Sequence, residues 1–336
     1  MFPRARTIAM AILLAALFSR PGLGQGSPVT ILDISFENSV DYRNDVTDYS
    51  RLATDLNITT ASPVRNFATF ITVADIVAVN GQPVKGTFAQ RGTATNLNPN
   101  PQAGQAIADT ARANSFQDGA WEILKADGTP VGTIFVTVMG GGTPPPGAPL
   151  VSSNNNGVII GGTGAFLGAR GQVTNTADRV ANRVASVTED PGSRRRNGGG
   201  RAHFIFHLIP LSRPEIVVTS SGPAVAHSSD FTLVSASKPA IAGEILSLFV
   251  TGLGPTRPGV DPGKPFPASP AALVTSPVEV TVNGRSAEVT AAVGFPGAVD
   301  GYQVNFRVPP DAAKGTATVQ VSAAWIAGPE VRINIQ

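Results

Sequence analysis

The chain has 336 residues, a formal charge of +2, only 14% charged residues and no cysteine. That length allows two domains that each bury a core, and the near-neutral balance gives no basic field for a nucleic-acid partner. Without cysteine there are no disulfides, thiol nucleophiles, cysteine zinc sites or iron–sulfur clusters, and three histidines are too few for a multi-histidine metal centre, so no metal and no cofactor is expected.

In chain order, Arg4 and Arg6 precede an apolar run, "TIAMAILLAALF" (Thr7 to Phe18), and small residues follow at Gly22 to Gly24. This is the pattern of a secretory signal peptide over residues 1–24. The run is shorter than the ~20 residues that span a bilayer. The expected product is therefore exported, to the periplasm, the medium or the cell surface, with no membrane span once the signal is removed.

The remainder alternates short runs of β-formers with Gly (36) and Pro (28), which predicts an all-β protein. "VTILDISFEN" (Val29 to Asn38) alternates Ile31, Asp33 and Ser35 against Leu32, Ile34 and Phe36. Strands on either side of Asn80-Gly81 and Asp127-Gly128 read as hairpins. "IADTARANSF" (Ile107 to Phe116) is the best candidate for a short helical turn. "GGGTPPPGAPLVSSNNNG" (Gly140 to Gly157) reads as an exposed loop, because consecutive prolines cannot join a sheet interior. Strands resume through "VIIGG", "GQVTNTADRVANRVASVTE" and "RAHFIFHLIPL", with "SRRRNGGGR" (Ser193 to Arg201) as a flexible, solvated basic tip between the last two. Contact with an anionic polymer is the less favoured reading of that tip. A boundary falls near Pro214: residues 25–213 form the first domain, 214–227 a linker, and 228–336 a second domain. The second domain has strands at about 8–12-residue spacing and an Asn283-Gly284 hairpin, the rhythm of a β-sandwich.

The run "GGTGAFLGARG" (Gly161 to Gly171) must be separated from a dinucleotide loop. The third glycine of G-x-G-x-x-G falls on Leu167, and the segment after Gly171 is rich in Thr and Val instead of helix formers. The chain has no Gly-Lys-Ser/Thr there for a phosphate loop either. The run is read as a strand–turn–strand element in which Gly161, Gly162, Gly164, Gly168 and Gly171 provide tight backbone geometry and Phe166 packs.

This run resembles the glycine-rich signature of the dirigent proteins, and "GAFLGARGQV" is similar to the matching segment of the allene oxide cyclases. "GTPVGTIFVTVMG" and, more loosely, "VKGTFAQRGTATN" resemble other dirigent strands. The resemblance implies an eight-stranded antiparallel β-barrel over about Val29 to Leu211, and a trimer, the common oligomer of those families. It also implies acidic residues facing a barrel cavity, with Asp33 the best positional match and Glu37 a weaker one. The tyrosine-rich pocket of the plant proteins is not evident, since Tyr42 and Tyr49 sit in a polar stretch. Further on, "GEILSLFVTGLGPT" and "GYQVNFRVP" resemble a C-terminal domain of secreted bacterial proteins related to the IPT/TIG immunoglobulin-like sandwiches, to which no catalytic role attaches.

Among candidate side chains, Arg170 either enters the barrel, where a guanidinium orients a carboxylate or polarises a carbonyl, or pairs a nearby acid on the wall. Asp33, if it faces inward, is a desolvated carboxylate able to act as acid or base; if outward, it is solvated. His203 and His207 share one strand face with Ile205, about 13 Å apart at ~3.3 Å per residue, so they cannot hold one metal ion together. Each of them lines a cavity or sits hydrogen-bonded at the surface. The expected function is binding of a small, largely apolar molecule in the barrel cavity, with the sandwich as a spacer or adhesion module. Two alternatives stand beside it. One is a dirigent- or cyclase-like enzyme steering a reactive intermediate with Asp33 and Arg170. The other is a structural envelope protein whose barrel is filled by its own side chains.

Overall fold

The computed structural model describes residues 29–43, 69–94, 115–140, 155–176 and 178–336. The proposed signal segment, Tyr49, most of "IADTARANSF" and most of the proline-rich run lie outside the described residues.

The first domain is all strand: β1 (Thr30–Arg43), β2 (Thr69–Val79), β3 (Gln82–Ala94), β4 (Ser115–Lys125), β5 (Pro130–Gly140), β6 (Asn155–Gly164), β7 (Arg170–Asn175), β8 (Arg183–Ser186) and β9 (Gly200–Ile209). Eight of them close an antiparallel barrel in the order β1-β2-β3-β4-β5-β6-β7-β9, with β9 returning to β1. β8 runs parallel to the end of β1 and extends the wall where β9 stops. Strand alternation decides what fills the interior. On β1 the more apolar set, Leu32, Ile34 and Phe36, turns inward, joined by Ile76, Phe88, Trp121, Ile134, Ile159, Phe206 and Leu208 from around the ring.

The two ends of the barrel differ. At one end the strands are joined by tight turns. Asn80 (φ 51°) and Gly81 (φ 76°) make the two-residue hairpin between β2 and β3, Asp127-Gly128 joins β4 to β5, and Gly164 to Ala169 joins β6 to β7. At the other end β1, β3, β5 and β7 stop and β2, β4, β6 and β9 begin, so the longer intervals of the sequence start and finish there.

The second domain is a β-sandwich. One sheet is built on Ile245–Thr251, Gly301–Arg307 and Val289–Gly294; the other on Val278–Val282, Gly315–Ala323 and Val331–Ile335. Leu246, Leu248, Val304 and Phe306 from the first meet Val280, Val319, Val321 and Ile333 from the second in one buried cluster. The stretch read as a linker belongs to this domain instead: Glu215–Ile216 and Val225–His227 both pair with Ile245–Thr251. Its Pro and Ser residues break these strands into short pieces, and that spacing imitates a linker.

The domains share a core. Ala324 and Ile326, from a hairpin of the sandwich, belong to the barrel's apolar cluster at the tight-turn end, with Trp325 packed against it. Ala324 (φ 48°) and Trp325 (φ 63°) both adopt left-handed backbone, which costs a non-glycine residue roughly 1–2 kcal/mol each. That turn delivers the indole Nε1 of Trp325 to Gln82 Oε1 at 2.8 Å, and the Gln82 amide donates in turn to Glu279. The sandwich plugs one end of the barrel, and the other end is its mouth.

Candidate functional site

Below the mouth the barrel holds a layer of aromatic rings. Phe36 and Phe88 stack at 5.5 Å, Phe88 lies 4.2 Å from Trp121, and Phe204 contacts Phe36 (5.4 Å) and Trp121 (4.9 Å). The indole N–H of Trp121 is buried and, among the described residues, meets no acceptor. Beneath this layer the interior is packed with apolar side chains, mostly aliphatic but including Phe206 and Phe166.

Above it lies a depression of about 270 Å³, floored by Phe36, Phe88, Phe204 and Ala202. Its rim is polar: Asp41, Gln90, Asn175, Arg179 and Asn182. Gln90 and Asn175 reach inward because they lie two residues beyond the inward Phe88 and Val173 on their strands. Asp41 arrives by a different route. Asn38, at φ 54°, makes a bulge where β1 shifts register against both neighbours, and the strand changes phase there. Beyond the bulge Val40 and Tyr42 face out, forming a small buried cluster with Ala185 on the outer wall, and Asp41 falls opposite the buried Thr72. Asp41 Oδ1 accepts from Thr72 Oγ1 at 2.7 Å and from Asn182 Nδ2 at 2.8 Å.

The excursion from Thr176 to Gly199 completes the rim and is held firmly. Val180 exchanges backbone hydrogen bonds with Arg201 (2.9 and 3.1 Å), and Arg183 grips Glu189 with both terminal nitrogens (2.9 and 2.6 Å). The basic tip is ordered by ion pairs: Arg194 is largely buried, while Arg195 and Arg196 stay exposed. It folds into a helical turn, α1 (Arg194–Asn197), and both Arg194 and Arg195 bind the carboxylate of Asp75, which also accepts from Asn38 Nδ2 at 3.0 Å. Burial alone would raise the pKa of Asp75, but the hydrogen bonds from Arg195 and Asn38 and the charge of Arg194 outweigh it and hold the carboxyl below its usual range. Tyr42, beneath the same excursion, is pushed up, first by burial and then by Glu189.

The side chains singled out in the sequence lie elsewhere. Asp33 and Arg170 both point away from the interior, so the pair does not converge in an apolar cavity; the neighbours Leu32 and Ile34, and Val173 in phase with Gly171, hold the inward positions. Arg170 is exposed and, among the described residues, pairs no acid. Asp33 and His203 do come together, but outside the barrel, and Glu37 lies on the same outer face. His203 and Glu37 border a shallow groove of about 260 Å³ with Ser35, Asp178 and Arg201. Asp33 Oδ1 and Ser35 Oγ lie 3.1 and 3.2 Å from the same ring nitrogen, His203 Nδ1. A nucleophilic relay needs the acid and the hydroxyl on opposite nitrogens, so this trio is not one. His207 lies on the same outer face, opposite Ile31 and Gln172. Among the described residues no three His, Asp or Glu side chains are placed to hold a metal ion.

The glycine run is a strand–turn–strand element, in agreement with its sequence. A Cβ on Gly164 (φ +61°) would sit 2.5 Å from Val131 O, and one on Gly171 (φ +138°) 1.9 Å from His207 O. Gly162 and Gly168 are also closely approached, whereas Gly161 faces open space and its turn role falls away. Phe166 is buried in the core. The turn packs against the sandwich, with Ala165 beside Gly254, and a groove of about 420 Å³ runs between them, lined by Leu167, Leu211, Pro214, Pro255 and Tyr302. The Tyr302 hydroxyl donates to Gly254 O at 2.7 Å. The two family-like motifs of the sequence thus meet at the domain junction, away from the mouth.

No protein-family model, curated protein or solved structure matches the chain. The likenesses to dirigent proteins, allene oxide cyclases and IPT/TIG sandwiches rest on the quoted motifs alone, and the site is argued from its own geometry.

Sequence reasoning misses the rim residues. Gln90 and Asn175 have a readable signal, a polar side chain in phase with apolar inward ones near a strand end. Asp41 has none, because its inward position depends on the bulge at Asn38.

Proposed function

We propose that this protein binds a small, ring-bearing molecule at the open end of its barrel. The observation that carries the reading is the coincidence, at the end away from the sandwich, of an aromatic floor with a rim of side-chain amides and charges. The ring of a ligand stacks on Phe36, Phe88 and Phe204, and its polar groups meet Gln90, Asn175, Arg179 and Asn182. The packed lower interior restricts the ligand to the mouth and to the size of one substituted ring, which narrows the cavity expected from the sequence and makes its lining amphipathic instead of largely apolar. The sandwich serves as plug and support for the barrel.

The test is a titration with 4-ethylphenol followed by the fluorescence of Trp121, which lies one ring behind the floor. It uses a Trp325→Phe variant, because the chain has two tryptophans. A ligand of this size should bind with a Kd on the order of a millimolar or below. Ala202→Leu, which fills the floor, should abolish the signal while leaving the melting temperature near that of the parent. A signal that survives Ala202→Leu, or none up to the solubility of the probe, would overturn the reading.

A further inference from the structure

We infer that the mouth selects an anionic ligand, a ring compound carrying a carboxylate, with Arg179 as the specificity-determining residue. The inference rests on the mouth being the binding site and names the class of molecule it takes. The polar groups of the rim are unequal in what they can still do. Its carboxylate, Asp41, is already an acceptor for Thr72 Oγ1 and Asn182 Nδ2. The neighbouring cation Arg183 is committed to Glu189, and Arg194 and Arg195 to Asp75. Arg179 differs from all of these. It lines the depression, is exposed, and among the described residues makes no ion pair and no side-chain hydrogen bond.

The remaining cation therefore stands beside an aromatic floor that holds a ring but offers no charge. A guanidinium in that position presents a planar fork of donors matched to the two oxygens of a carboxylate, and the low-dielectric floor strengthens the pairing relative to open water. The amide of Gln90 adds a hydrogen-bonding side chain at a neighbouring point of the rim. The backbone of the Arg179 segment is fixed by the Val180–Arg201 bridge, so the cation is carried on an anchored strand edge.

The experiment compares 4-ethylbenzoate with its uncharged isostere 4-ethylbenzamide, again read by Trp121 in the Trp325→Phe protein. The benzoate is expected to bind roughly tenfold more tightly at low salt, with the advantage shrinking as ionic strength rises. Arg179→Gln should remove the advantage, so that the benzoate binds no more tightly than the benzamide, and Arg179→Lys should restore part of it. Equal binding of the two probes, or a benzoate preference that survives Arg179→Gln, would overturn the anion selectivity while leaving the mouth as a binding site. Failure of both probes to bind would overturn the mouth reading and this inference with it.

Discussion

The shared core makes a prediction that neither domain would make alone. Ile326 is a sandwich residue, yet it is 3% exposed inside the barrel's apolar cluster. Ile326→Ala removes buried methyl and methylene groups from a site that borders the junction groove and can partly collapse or hydrate. The expected loss is therefore at the lower end of the range for such truncations, about 2–3 kcal/mol. The readout is urea unfolding of the Trp325→Phe protein, in which Trp121, wholly inside the barrel, is the sole tryptophan. With an m-value of about 2–3 kcal/mol/M, the Trp121 transition should move down by about 1 M. If the barrel were autonomous, the substitution would shift only a transition of the sandwich seen by far-ultraviolet circular dichroism. A Trp121 midpoint that does not move would refute the plug.

Single contacts carry further consequences. Asp75→Asn should cost about 2–3 kcal/mol at pH 7, since it leaves Arg194 largely buried without its partner. Because the folded-state pKa of Asp75 is depressed, that stabilisation is present above about pH 4 and is lost as pH falls through the folded value, so the stabilities of parent and variant should converge in acid. Gly171→Ala would place a Cβ against His207 O and should destabilise the barrel by about 3 kcal/mol or more, whereas Gly161→Ala should stay within about 0.5 kcal/mol; thermal melts of the two separate them. Tyr302→Phe deletes the hydrogen bond to Gly254 O and should cost about 1–2 kcal/mol, read by chemical denaturation.

Much of the architecture is legible in local sequence chemistry. The Asn-Gly and Asp-Gly dipeptides mark real hairpins, and alternation on "TILDISF" separates Leu32, Ile34 and Phe36 from Ile31, Asp33 and Ser35, although only the closed barrel decides that the first set turns inward and Asp33 stays outside. The same rule places His203 and His207 on one face. What local pattern does not carry is long-range. The bulge at Asn38 inverts the phase of β1 and brings Asp41 to the mouth, a change that depends on register against β2 and β9. Arg194 of "SRRRNGGGR" looks solvated until the fold brings Asp75 to the excursion it belongs to. The linker-like stretch after Pro214 becomes sandwich only because Ile245–Thr251 offers an edge for it to pair with.

The most direct test of the account is the position of a bound ring. Isotope-edited nuclear Overhauser spectra of the protein with 4-ethylbenzoate should show contacts from the ring protons to Phe36, Phe88 and Phe204 and to Ala202 at the mouth floor. Contacts instead to Ile71, Phe135 and Ile160, the exposed apolar side chains of the outer wall, would contradict it.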